Sequence, residues 1–97
     1  MNNRKQRFMF KTDVLLQRFD EEAILVDLDT ETIFQLNQTG ARIAELIIEE
    51  RSVPEILAIL DREFEKNSSD IERDVLAFLD ELLTHDLVVE PPTRNLT

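Results

Sequence analysis

The spacing of the apolar residues changes near residue 37, and this change limits the possible folds more than any other feature of the sequence. Residues 13 to 37 form short segments rich in apolar and β-branched side chains, separated by polar turns, and the last segment, 32–36, alternates with the two-residue period of a strand. Residues 38 to 86 place apolar side chains three and four positions apart, as amphipathic helices do. The sequence therefore predicts an α+β domain, with three strands followed by three helices.

The strand region is divided by two short polar turns, which favour an antiparallel meander. The last strand of this meander places Thr32, Phe34 and Leu36 on one face. Ile33 and Gln35 lie on the other face, since successive side chains of a strand point in opposite directions. A slip of one residue would move Phe34 and Leu36 into water, so we expect a firm register.

The helices are marked by signals at their starts. Asn37 is a good N-cap for the first helix. The segment 52–55 reads Ser-Val-Pro-Glu, which has the spacing of a capping box with proline in the first turn. A second capping box is predicted at 69–72, so the third helix is expected from Asp70 to about Asp86.

The apolar arc of the third helix spans roughly 160°, although a helix lying on one core needs only about 100°. The surplus suggests that this helix covers the core and also lines a groove. Asp70, Asp74 and Glu81 project along one border of the arc, beside Ile71 and Phe78. The alternative is that the sheet and the segment after the helix fill the whole arc.

The charge is strongly acidic and unevenly placed, with a net value of −10. Residues 1–11 carry four basic side chains and no acid, so we expect a flexible basic arm there. One folded domain is expected over 12–90 and a disordered tail over 91–97. The acidic field should repel nucleic acid and anionic membranes and attract basic partners.

The residues that carry chemistry are scarce. Cysteine is absent, which removes disulfides and thiolates and fits a reducing cytoplasm. His85 is the only histidine, and glycine occurs once, so no metal pair or phosphate loop is indicated. We therefore predict no catalytic residue, no metal site, no cofactor and no enzymatic activity.

The order and spacing of several short segments resemble the PqqD-like family, whose type member is the small partner protein in pyrroloquinoline quinone biosynthesis. The resemblance covers about residues 13 to 90. The matching segments are 23–27, 29–30, 34–37, 40–43, 52–56, 74–79 and 86–88. The chain departs from the family pattern in three places: Ile33 stands where an aromatic residue is common, tryptophan is missing near Ala44, and Asp86 replaces a frequent glycine.

This resemblance implies a winged-helix-like RiPP recognition element, a domain that binds the leader of a ribosomally made precursor peptide. The leader would add as an extra strand to the last strand of the meander, with side chains in the groove beside the third helix. The implied strand-edge residues are Thr32, Ile33, Phe34, Gln35 and Leu36. The implied groove residues are Asp70, Ile71, Asp74, Val75, Phe78 and Glu81, of which the acids would select a basic or polar leader.

The implied partners are the leader peptide and a separate maturation enzyme. That enzyme could be a radical SAM enzyme, a leader peptidase or another tailoring enzyme. Two other functions stay open: a structural interaction module that forms a homodimer through the open strand edge, and a winged-helix DNA-binding regulator. The second is disfavoured because reading a groove of DNA requires a basic recognition helix. The third helix instead carries the acids Asp70, Glu72, Asp74, Asp80 and Glu81 against Arg73 alone.

Overall fold

The computed structural model describes residues 7–65 and 67–90, and the elements follow one another as the sequence predicts, with two short strands added. The strands are β1 (Met9–Phe10), β2 (Val14–Phe19), β3 (Glu22–Asp27), β4 (Thr32–Leu36) and β5 (Val88–Val89). The helices are α1 (Gln38–Ile48), α2 (Val53–Glu63) and α3 (Ser68–Thr84). The predicted α+β class, a three-stranded antiparallel sheet followed by three helices, is confirmed.

The main sheet has the strand order β2-β3-β4, with every neighbouring pair antiparallel. Leu25 pairs with Phe34 and Ala23 pairs with Leu36, so these side chains share the face that meets the helices. The predicted alternation in β4 is confirmed, because Leu36 is buried whereas Ile33 is exposed.

The core lies between this inner face and the three helices. Its largest fully buried side chains are Leu25, Ile43, Leu46, Ile47, Ile56, Leu60, Val75 and Leu87. They come from β3, from each helix and from the segment after α3, so one core holds all parts together. Within the described residues, no helix is long and apolar enough to cross a bilayer.

The structure differs from the sequence-based expectation at the N-terminal boundary of the domain. Phe8 is buried in the core, and β1 pairs with β5 in a separate two-stranded sheet. Lys11 adds a backbone bond to the carbonyl of Leu87 and a 3.0 Å ion pair with Asp86. Residues 8–11 of the expected arm are therefore packed, while residues 1–6 and the expected tail lie outside the described residues.

The N-terminal caps were predicted correctly for two helices of three. The Asn37 side chain accepts from the Gly40 amide at 2.9 Å, and the capping box between Ser52 and Glu55 is present. The capping box predicted for α3 was wrong, because this helix begins earlier, at Ser68, after Asn67. Ser68 donates its hydroxyl hydrogen to Asp61 at 2.6 Å, which ties the start of α3 to α2.

Candidate functional site

The outer edge of β4 is open. In the sheet order β2-β3-β4, this strand pairs with β3 on one side, and no other strand of the described chain pairs with its second side. The strand contains no proline and no lysine, the residues that commonly protect an exposed edge. Unpaired backbone amides and carbonyls along five residues are thus available to an extended polypeptide.

A groove of about 330 Å³ runs between this edge and α3. Its floor is apolar, since Leu25, Leu82 and Leu87 are buried beneath it. Phe34 of β4 faces His85 at the end of α3, with ring centroids 5.0 Å apart and planes tilted by 55°. The groove thus combines hydrogen-bonding groups on one wall with an apolar floor.

A second cavity of about 260 Å³ continues the groove towards the start of α1. Phe78 and Glu81 line both cavities, so the two are adjacent along α3. Gly40 lies on the opposite wall, where an added Cβ would come 3.4 Å from the ring of Phe78. The absence of a side chain at Gly40 therefore keeps this part of the groove wide.

Three of the six helix residues singled out from the sequence come together in these cavities. Asp74 and Phe78 line the part near α1, and Glu81 lines both parts. They lie on one face of α3 because they are three and four residues apart. The five residues of β4 lie opposite, and four of them, 33–36, border the groove.

The other three helix residues lie elsewhere. Val75 has no exposed surface and belongs to the core. Ile71 is buried and borders a different depression, between α2 and α3. Asp70 is in the first turn of α3, where its carboxylate accepts from Arg73 at 2.6 Å. The rotation of α3 about its own axis turns these residues away from β4.

Sequence reasoning missed several residues of the groove. Neither His85 nor Gly40 was included in the site predicted from the sequence. Both border the cavities together with Ala77 and Leu87. The single glycine at the third position of a helix was a usable signal, because glycine weakens a helix and needs a reason to be there.

The charged side chains that line the two cavities determine which ligand groups the site favours. Among the described residues that line the two cavities, Asp74 and Glu81 are the acids, and both would favour a cationic ligand group. Among the described residues, no cluster of three potential metal ligands exists. The arrangement is suited to holding an extended chain by its backbone and by apolar side chains.

The comparisons with known proteins agree with this geometry. Residues 22–88 match the family described as coenzyme PQQ synthesis protein D (PqqD). No curated protein is significantly similar in sequence.

Two solved structures share the fold. One is TbiB1 in complex with the TbiA(beta) leader peptide, with a TM-score of 0.79 and 28% identity over 88% of this chain and 99% of that chain. Another is lasso peptide synthetase B1 complexed with the leader peptide, with a TM-score of 0.76 and 24% identity over 86% and 98%. The family match spans most of the folded part, and the chain therefore belongs to the PqqD family.

Proposed function

We propose that this protein is a non-enzymatic adaptor that binds the leader segment of a precursor peptide and presents it to a separate modifying enzyme. The observation that carries the proposal is the open edge of β4 beside an apolar groove. The similar structure of TbiB1 contains a leader peptide, which supports the same role here.

In the proposed complex the leader adds to the sheet as a strand next to β4. Backbone hydrogen bonds with residues 32–36 supply affinity that does not depend on sequence. Alternate side chains of the added strand point into the groove, where Phe34 and Phe78 offer apolar contact. Ile33, which points to the other face of the sheet, contacts leader side chains that point away from the groove.

Selectivity in this proposal comes from the acidic wall. Asp74 and Glu81 favour leader residues that are basic or polar. Val75, Ile71 and Asp70 are left out of the proposed contact surface because of their positions in the core, against α2 and beside Arg73.

Backbone bonds alone are too weak for a stable complex. Four or five strand bonds contribute on the order of 1 kcal/mol each. Association costs about 4–15 kcal/mol, because two molecules lose freedom and a flexible peptide becomes ordered. Two apolar anchors in the groove add about 1.5–3 kcal/mol each, so binding depends on both contributions.

The test is titration of the protein with a labelled N-terminal peptide of a candidate precursor, chosen from short reading frames found near its gene, and measured by fluorescence anisotropy. Replacing Phe78→Ala together with Asp74→Lys removes one anchor and reverses one charge. We expect the dissociation constant to rise about tenfold to a hundredfold, which corresponds to the loss of one buried apolar side chain. Thermal unfolding checks that the variant is folded.

A matched control changes the same kinds of residue on another face of the same helix. Leu76→Ala with Asp80→Lys alters two exposed positions that do not line the groove, so the leader affinity should stay the same. Gly40→Leu gives an independent steric test, since its side chain would fill the space beside Phe78. A wild-type protein that does not bind the leader, or a groove variant that binds it unchanged, contradicts the proposal.

A further inference from the structure

The outer face of the sheet, which points away from the helices, is largely apolar. Leu15 pairs with Val26, and Val26 pairs with Ile33, so the three side chains form one row across all three strands. Leu15 is 52% exposed and Ile33 is 62% exposed. Ile24 and Phe19 lie on the same face by alternation along their strands.

We call this surface the outer face and define it by Leu15, Phe19, Ile24, Val26 and Ile33. A contiguous exposed patch of large apolar side chains is uncommon on a protein that acts alone, and it marks an interaction site. Its polar positions are Gln17, Gln35 and Glu22, so no cation interrupts it.

The two ends of the outer face are acidic. The turns that join the strands, together with the first residue of β3, carry Asp20, Glu21, Glu22, Asp29 and Glu31. The only base in residues 13–36 is Arg18, and its guanidinium is held by Glu45 of α1 at 2.6 Å. A partner of this face must therefore accommodate a strongly negative border.

We infer that the outer face docks the modifying enzyme, through an enzyme surface that is apolar at its centre and basic at its border. This inference rests on the proposed function, since it supplies the second contact that an adaptor needs. The leader site and the outer face are compatible, because an added strand extends the sheet sideways beyond β4. The leader then meets the outer face at Ile33, and the apolar residues of β2 and β3 stay open to the enzyme.

Charge and composition argue against two other occupants of the outer face, a second copy of this chain and its own residues 1–6. Two copies of this chain placed face to face would bring the acidic turns together, and like charges across an interface repel. Residues 1–6 are basic, but their only apolar side chain is that of Met1, which cannot match the apolar centre. A separate protein with an apolar patch and surrounding arginine or lysine fits both properties.

The test uses a purified candidate maturation enzyme, chosen from the genes found near this chain's own gene, and measures its binding to the wild type and to variants by calorimetry. Leu15→Gln with Phe19→Gln removes apolar surface from β2, about 10 Å from β4, because each strand spacing is close to 5 Å. We expect the dissociation constant for the enzyme to rise about tenfold or more. The leader affinity should change by less than about twofold, which is the reason for choosing β2.

The matched control is Leu76→Gln with Leu83→Gln, two leucines of α3 that are 49% and 47% exposed. This variant should bind the enzyme as the wild type does. Glu22→Lys should weaken enzyme binding and make it less sensitive to salt, because it removes a negative charge from the outer face.

Three results would overturn the inference. They are unchanged enzyme binding by the Leu15 and Phe19 variant, an equal loss in the control, or a wild-type dimer in sedimentation that the same variant dissociates. The last result would identify a second copy as the occupant. Failure of the leader to bind, with enzyme docking intact, would contradict the proposed function and leave the outer face as an enzyme contact.

Discussion

Four acidic residues have positive φ angles: Asp20 (55°), Glu31 (59°), Glu50 (66°) and Asp86 (60°). Two of them end helices in the same way. After α1, the amides of Glu50 and Arg51 donate to the carbonyls of Ile47 and Leu46. After α3, the amides of Asp86 and Leu87 donate to Leu83 and Leu82. Both ends are Schellman motifs, in which glycine is the usual residue at the left-handed position.

The residue after the C-cap of α1 gives a stability prediction. Glu50→Gly should raise the free energy of unfolding by about 0.5–1 kcal/mol, because glycine adopts the left-handed region without the steric cost of a Cβ. Urea unfolding measures the change.

The neighbouring residue provides the control for this prediction. Glu49 has φ −76°, so Glu49→Gly relieves no strain and should lower stability through the greater freedom of glycine in the unfolded chain. If both substitutions changed the free energy of unfolding in the same direction, strain at the left-handed residue Glu50 would not explain the result.

At the scale of elements, ion pairs connect β2 and two helices. Arg42 of α1 binds both carboxylate oxygens of Glu63 in α2 at 2.8 Å. Glu45 lies between Arg42 and Arg18. It accepts a hydrogen bond from Arg42 at 3.2 Å and forms an ion pair with Arg18 at 2.6 Å. A guanidinium and a carboxylate that share two hydrogen bonds must lie in one defined geometry. This network therefore fixes the orientation of α1 relative to its neighbours.

The network predicts a dependence of stability on pH. The hydrogen bonds from Arg42 lower the pKa of Glu63 below its ordinary value of 4.5, against a smaller opposing effect of burial. A carboxyl group with a lowered pKa in the folded state stabilises the fold above its unfolded pKa and loses this contribution as the pH falls through the folded pKa. Glu63→Gln should therefore be less stable than wild type at pH 7.

The expected difference is about 1 kcal/mol or less, since the pair is partly solvated and screened. It should shrink as the pH is lowered from neutral to below 4.5, in thermal unfolding at a series of pH values. Glu49→Gln, which removes a single exposed contact to Arg51 at 3.3 Å, is the control and should show a smaller difference. A stability difference between wild type and Glu63→Gln that persists at low pH would contradict the role of the charged carboxylate.

At the scale of the whole molecule, the two ends of the described chain are joined by a short antiparallel sheet. β1 and β5 pair through Met9 with Val89 and Phe10 with Val88. Phe8, next to this pair, is only 7% exposed. The N-terminal segment thus belongs to the core of the domain.

The burial of Phe8 predicts that truncating its side chain strongly lowers the stability of the fold. Phe8→Ala should lower the free energy of unfolding by about 3 kcal/mol, through lost burial and the cavity left behind. Phe19→Ala changes the same residue type at a position 53% exposed and should cost less than about 1 kcal/mol. Equal effects in urea unfolding would mean that residue 8 does not pack in the core.

The sequence by itself determined the three strands of the main sheet and the three helices, because these follow from local periodicity and from caps such as Asn37 and Ser52. It also indicated which face of β4 points towards the core. The side chains of a strand alternate between two faces, and only one face of this strand carries both Phe34 and Leu36. The start of α3 was misplaced because a backbone turn at Asn67 began the helix without a side-chain cap.

Only the tertiary structure decided which side chains of α3 face the groove. The sequence indicates the apolar arc of this helix, but its rotation and its height against β4 depend on packing with α1 and α2. That packing placed Phe78 in the groove, Val75 in the core and Ile71 against α2. The pairing of β1 with β5 was likewise hidden, because it joins segments from opposite ends of the chain and has no local signal.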